Sequence, residues 1–564
     1  MSQAAPAIAP KTPQQQLDAI FEVVNRSSGP GLVVGVAHNG HTIYRRGFGL
    51  ASVEHGTAIT PATRMRIASI SKHIACLAAL LLAEDGKLDL DAPASRILPE
   101  LPLLQGMPTL RQFMTHTSGY RCYLDLAYTG SAWAALPEGG GLAMQFAQTQ
   151  ANFEPGTSQL YCNGGYELLS EAIARASGMP FADFLRERIF RPLGMQDTDS
   201  VPVDHILRPG LATAHQALPD GRWMRGPLPL GDFRGAGAIV TTVDDMLRWM
   251  RQLREPNACV GSAASWRHLT EVATLRNGLV TTYALGLMRN AYRGVEVLQH
   301  GGLLAGVTAS MVCVPAHALD IIIITNGASV KPPELAWQIV DLLLADHLVG
   351  ERAPLVTVDK FKHLVGARYH AASGMLVAFD EMAGQLGLSI LGSPPMPVLR
   401  DRGEHIGFLL EEAGMGPLEM RTAELAATPD GGTPATITIR EAGNPGRFRR
   451  LPATPPSTAR AGRALEGRYR CADLRGEARI AFEGEQLVMR IRTPDGQRAI
   501  ALQALSRSVF GCSALDPLAP AFFALTVERR QSRVAGLRLS SPRTRRLHFE
   551  RLTEATASVS SSET

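Results

Sequence analysis

Residues 66–88 read RIASISKHIACLAALLLAEDGKL, with Ser69 and Lys72 three residues apart at the mouth of an apolar helical pattern. That spacing puts both side chains on one face of a helix, with Cβ atoms roughly 5–6 Å apart. A helix N-terminus carries the positive end of the backbone dipole and unpaired N–H groups, both suited to a developing oxyanion. A serine hydroxyl is a weak nucleophile until a neighbouring base takes its proton. Lysine serves as that base when burial lowers its pKa, whereas arginine stays charged. Of 56 basic residues only those at 11, 72, 87, 331, 360 and 362 are lysines, so the one kept at 72 stands out. Ser-x-x-Lys still arises by chance about once or twice in a chain of this length, and alone it reads more readily as an ordinary helix start.

Two further groups change that weighing. Within EPGTSQLYCNGGYELLSEAI (154–173), Tyr161 and Asn163 flank one residue on a turn before a helix. A tyrosine held near a lysine can act as acid or base, and an asparagine can bind a substrate amide from both ends. Within LQHGGLLAGVTASMVCVP (298–315), His300 precedes Gly301 and Gly302 at the end of a strand-like run. Paired glycines let a peptide-like ligand approach the backbone closely.

Around these groups the pattern is α+β. GLVVGVAHNGHTIYRRGFG (31–49) predicts a hairpin turning at Asn39-Gly40. Helices follow at 166–178, with Gly178 as a stop, and at 242–254, entered through Thr242. Strands return at 283–290, 295–302, 308–315 and 319–327, before a helix over 334–348. The expectation is one antiparallel sheet flanked by helices over residues 1–350. After Gly350 short alternating stretches take over and a repeat emerges. The segment 365–390 resembles 466–491, with Tyr369 matching Tyr469 and Gly384 matching Gly484 at one offset. Two small antiparallel β-barrel domains are expected, at 351–450 and 451–553, followed by a disordered polar tail at 554–564.

Composition narrows the function classes. Net charge is +4 with 56 basic against 52 acidic residues, which leaves no footprint for nucleic acid or an anionic membrane. The seven cysteines are scattered without a Cys-x-x-Cys pair, which predicts reduced thiols and no metal. The N-terminal MSQAAPAIAPKTPQQQ (1–16) lacks a basic start followed by an apolar core, so no signal peptide is read, and the apolar run within 66–88 is about half the ~20 residues of a membrane span. A cytoplasmic protein is expected.

Taken in order, Ser-x-x-Lys, Tyr-x-Asn and His-Gly-Gly resemble the serine β-lactamase and penicillin-binding protein superfamily, in its class C β-lactamase-like branch. FMTHTSGY (113–120), FEPGT (153–157) and GAGAIVTTVDDM (235–246) look like recurrent segments of that branch, where His116 and Ser118 belong to a structural turn. The two β modules are similar to those of the D-stereospecific aminopeptidases of the branch. The resemblance implies a serine hydrolase that releases N-terminal D-amino acids from short peptides, amides or esters. Ser69, Lys72 and Tyr161 would be catalytic, and the base would be either Lys72 or Tyr161. Asn163, His300 and Gly302 would bind substrate, and the N–H groups of Ser69 and Leu303 would form the oxyanion hole. A loop of the last barrel, GCSALDPLAPAFFAL (511–525), would place Asp516 against the substrate amine; the plain alternative is an Asp-Pro turn residue. His300 stands where most of the superfamily has lysine, and a neutral imidazole attracts a carboxylate less, so weak β-lactam hydrolysis is expected. No cofactor is implied. The partners expected are a small peptide or amide with a free N-terminus and a second copy in a homodimer. The competing readings are an esterase or D-alanyl-D-alanine carboxypeptidase on the same catalytic domain, and a non-catalytic peptide-binding protein.

Overall fold

The computed structural model describes residues 12–24, 28–132, 136–226, 233–257, 259–408 and 418–552. The expected disordered tail (554–564) lies outside them. Asn39 and Gly40 both take positive φ, 52° and 78°, and so turn the strand Leu32–His38 back into His41–Phe48. This hairpin forms one side of a six-stranded antiparallel sheet. Leu32–His38 pairs with Leu319–Thr325, and the sheet continues through Val307–Val314 and Val295–Leu304 to Met288–Tyr292. The first of the returning strands starts five residues later than the sequence pattern suggests. Residues 284–287 form a tight turn instead, with Gly286 at φ 76° and the Ala284 N–H donating to Leu287 O at 2.7 Å.

The isoleucine run of Leu319–Thr325 is buried on both faces. Ile322 and Ile324 face a core that includes Leu77, Met246 and Trp249, whereas Ile321 and Ile323 pack with Leu335, Trp337 and Ile339 of the helix Pro332–Leu343. Alternation along one strand thus fills two cores. The helix Asn163–Ser177 ends at Gly178 (φ 70°), and Val243–Arg254 is capped by Thr242, whose hydroxyl accepts from the Asp245 N–H at 3.3 Å.

The repeated β modules take related but unequal forms. Strands from Gly467–Cys471 to Leu547–Arg551 close into an eight-stranded barrel. The other module is an eight-stranded sheet whose edges do not pair directly. The segment 355–357 bridges the gap: Leu355 pairs with Arg400 and Thr357 with Gln385. The repeat is real in three dimensions. Tyr369 and Tyr469 are both fully buried on the first strand of their modules, and Gly384 and Gly484 both turn the next hairpin at positive φ.

One feature has no sequence signature. The closed barrel's apolar core includes Tyr123, Leu126, Leu136 and Met144 from the first module. Tyr123 and Leu126 lie on the helix Tyr123–Ser131, which lies against the barrel strands 486–504. Next to it, fully buried Arg121 forms an ion pair with buried Asp473, whose other oxygen accepts from the Thr149 N–H at 2.8 Å.

Candidate active site

Ala68 sits at φ 48°, a left-handed conformation that costs an L-residue roughly 1–2 kcal/mol. It opens a single 3₁₀ turn, Ala68–Ile70, that leads into the helix Ser71–Glu84. The turn leaves Ser69 partly exposed among buried neighbours. The Ile67 N–H donates to Ile239 O at 3.1 Å, and the Ile239 N–H donates to Ser71 Oγ at 3.2 Å. The Ser69 turn is therefore bound on both sides to the segment predicted around GAGAIVTT.

Lys72 is completely buried, with Nζ 3.0 Å from Ser69 Oγ and donating to Ala236 O at 2.6 Å. Ala236 lies on a short turn held in place by the helix Asn163–Ser177. The Gly235 N–H donates to Ser170 Oγ at 2.8 Å, the Arg234 N–H donates to Glu167 at 2.9 Å, and their side chains form an ion pair. Burial, and then the positive charge of Arg543, hold the Lys72 amine well below the usual lysine range. A neutral amine gives one N–H to Ala236 O and turns its lone pair to the Ser69 hydroxyl, as a base must.

Tyr161 completes this group. Lys72 Nζ lies 4.8 Å from the centre of its ring, and its phenol hydrogen-bonds Ser69. Burial raises the Tyr161 pKa, while the Ser69 hydrogen bond and Arg543 act in the opposite sense. His116 lies beneath it with ring centres 4.1 Å apart, and its Nδ1 accepts the Cys162 N–H at 3.0 Å. Burial keeps His116 neutral, which is what acceptance at Nδ1 requires. His116 thus shapes the turn that presents Tyr161 and Asn163. Asn163 is buried, and its Oδ1 has no hydrogen-bond partner among the described residues. A buried amide oxygen left unpaired costs about 1–3 kcal/mol, and a substrate N–H would remove that cost.

His300, Gly302 and Leu303 lie on the strand Val295–Leu304. His300 is buried; burial, and then Lys72, push its pKa down to about 3, and Tyr283 Oη sits 2.9 Å from Nε2. The strand passes directly over the Ser69 turn. A Cβ added to Gly302 would lie 2.3 Å from Ile67 O and 3.2 Å from Ala68 Cβ, so only glycine permits this approach. Leu303, the next residue, is half exposed.

Asp516 lies on the closed barrel. It is exposed in the turn after the strand Val509–Ala514, where its carboxylate accepts the Leu518 N–H at 2.9 Å. Its charge acts on Tyr128 and Arg498. Tyr128 is six residues beyond Cys122 along the helix Tyr123–Ser131, about 9 Å at helical rise. The Asp-Pro sequence makes a turn here, and a side chain from another barrel loop approaches Tyr161. Arg543, between the strands Arg533–Ser540 and Leu547–Arg551, holds its guanidinium 5.0 Å from the centre of the Tyr161 ring. Sequence reading missed Arg543 and Tyr283, since neither sits in a motif. Among the described residues no group of three His, Cys, Asp or Glu side chains could hold a metal ion.

Similarity to known proteins follows the same outline. The chain is 27% identical over 560 residues to a D-aminopeptidase of Gluconobacter oxydans, covering 95% of this chain and 98% of that one. A D-aminopeptidase of Brucella canis is 30% identical over 300 residues, covering 51% and 55%. Among solved structures, an octameric penicillin-binding protein homologue from Pyrococcus abyssi shares the fold, with a TM-score of 0.53 at 18% identity over 95% of this chain and 99% of that one. SurE does so with a TM-score of 0.51 at 23% identity, over 77% and 99%. The family described as Beta-lactamase matches residues 17–345, more than half of the chain and all of the stretch carrying Ser69, Lys72, Tyr161, Asn163 and His300, and the chain belongs to that family.

Proposed function

We propose that this protein is a serine hydrolase that releases N-terminal D-amino acids, D-alanine-like in size, from short peptides, amides or esters. The observation that carries the hydrolase reading is a fully buried Lys72 whose Nζ sits 3.0 Å from Ser69 Oγ. Support for D-stereospecificity comes from the Gluconobacter D-aminopeptidase, which aligns over 95% of the chain. Ser69 Oγ attacks the substrate carbonyl carbon while Lys72, assisted by Tyr161, takes the hydroxyl proton. The N–H groups of Ser69 and Leu303 stabilise the oxyanion, and Asn163 orients the substrate amide. The carbon–nitrogen bond then breaks, the Lys72–Tyr161 pair returns the proton to the leaving amine, and water hydrolyses the ester on Ser69.

In this reading residues 1–350 are the catalytic unit, with β units at 351–450 and 451–553. A cytoplasmic location suits seven cysteines that are all free thiols, and a homodimer belongs to the same proposal. No helix among the described residues is long and apolar enough to cross a membrane. The test is release of p-nitroaniline from matched D- and L-alanine p-nitroanilides, in wild type and Ser69→Ala. The expected result is turnover of the D-isomer only, abolished in the variant. Equal rates on both isomers would refute stereospecificity, and undiminished turnover by Ser69→Ala would refute the nucleophile.

A further inference from the structure

The loop 541–546 of the closed barrel is pinned to all three modules. The Asn152 side chain grips it twice, donating to Arg543 O at 3.0 Å and accepting the Arg545 N–H at 2.8 Å. Ser541 hydrogen-bonds Asp125, and Arg121 donates to Arg545 O at 3.1 Å. Arg545 reaches Glu441 of the middle module at 2.7 Å and bonds its own loop at Ser541 O at 2.6 Å. The product of these contacts is the placement of Arg543, whose guanidinium lies 5.0 Å from the Tyr161 ring centre while Lys72 Nζ lies 4.8 Å from the same centre. Two basic side chains, one from each end of the chain, thus converge on one phenol: a neutral amine and a permanent cation.

We propose that Arg543 is a positioning residue of the catalytic group: its charge, held over Tyr161 by the pinned loop, sets the pH range in which Ser69, Lys72 and Tyr161 can acylate. The inference rests on the serine-acylation reading above. A base must be deprotonated to work, and a nearby cation stabilises the deprotonated form of both an amine and a phenol. The other titratable groups around the pair carry no permanent positive charge. His116 and His300 are kept neutral by burial, and Tyr166 and Tyr283 are buried phenols with raised pKa values. Cys76 lies beneath Lys72 with its thiol raised by burial. Burial raises the Cys122 thiol, but Cys162 and Arg543 bring it down to about 6, and its charge acts against Arg543 on both Lys72 and Tyr161; Asp125, on the helix after Cys122, is engaged by Ser541. Arg543 is therefore the permanent charge, among the groups named, that biases the pair toward its basic form.

At a protein-interior effective dielectric, a unit charge 5–10 Å away shifts a pKa by roughly one to two pH units. The experiment follows the rate of Ser69 phosphonylation by a p-nitrophenyl phosphonate, read by intact mass, across pH for the full chain and its variants. Arg543→Gln is expected to move the acid limb of the rate upward by about one pH unit, making labelling about tenfold slower on that limb. Arg543→Lys, which keeps the charge, is expected to stay near the wild-type midpoint. Superimposable profiles for wild type and Arg543→Gln overturn this inference, as does an Arg543→Lys profile displaced like that of Arg543→Gln. Absence of labelling in wild type at every pH overturns the acylation reading and this inference with it. A thermal melt of each variant separates loss of folding from a moved midpoint, because unfolding lowers the labelled fraction without displacing the limb.

Discussion

Replacing Gly302 by alanine tests how closely the strand Val295–Leu304 must approach the nucleophile. The added methyl would lie 2.3 Å from Ile67 O, against roughly 3.3 Å for a relaxed carbon–oxygen contact. Ala309 Cβ at 3.1 Å and Ala68 Cβ at 3.2 Å close the sideways escape. The strand and the Ser69 turn must therefore separate by roughly 1 Å. Overpacking of this size costs about 1–3 kcal/mol, and the unfolded chain's lost freedom returns about 0.4–1 kcal/mol. The net destabilisation is about 1–2 kcal/mol, which leaves a folded protein. A 1 Å displacement of reacting groups costs about 100-fold in rate. Single-turnover acylation should thus fall about 100-fold while the thermal transition stays cooperative and moves only modestly. An alanine variant that acylates at the wild-type rate would refute the claim that this strand forms one wall of the reacting centre.

Two further outcomes are expected. Lys72→Met should abolish acylation yet stabilise the fold at neutral pH, because it removes a buried amine whose native pKa lies well below its ordinary 10.5. Between those two values the unfolded chain binds one more proton than the native one, so wild-type stability climbs with pH by about 1.4 kcal/mol per unit. The variant's advantage in denaturant titrations should shrink as pH approaches 10.5 and end there; an advantage independent of pH would count against a neutral Lys72. Asp473→Ala should cost about 3–5 kcal/mol, since it strands buried Arg121 and the Thr149 N–H together. Chemical denaturation reads this directly, and a loss under 1 kcal/mol would show that the pair contributes little.

The sequence brings the candidate site residues together legibly where their contacts are local. Asn39-Gly40 dictates its own turn, and Ser69 with Lys72 needs only one helical turn to meet. Tyr161 and His300 were legible because each sits in a short pattern with its own backbone requirement. Gly302 falls in the same class, although the close approach to Ile67 that explains it depends on tertiary structure. Arg543 had no such mark: it is 382 residues from Tyr161, in a loop whose shape is set by Asn152, Arg121 and Glu441. Asp516 is legible as a turn residue. Its Asp-Pro context specifies a turn, and turn chemistry decides its place. The packing of Tyr123 and Leu126 into the barrel core has no mark in the sequence, because periodicity reports that a face is buried without naming what buries it.

The contribution of Tyr123 and Leu126 to the barrel core also bears on the order of events during translation. Their helix leaves the ribosome long before the strands that cover it, which begin at Gly467 and end near Arg551. At about 5–20 residues per second the interval is roughly 20–80 s. Throughout that time the nascent chain carries Ser69, Lys72 and Tyr161 but lacks both the barrel wall and Arg543. A hydrolase built in this order stays unfinished, with an apolar helix face for a chaperone to hold, until nearly the last of its folded residues has emerged.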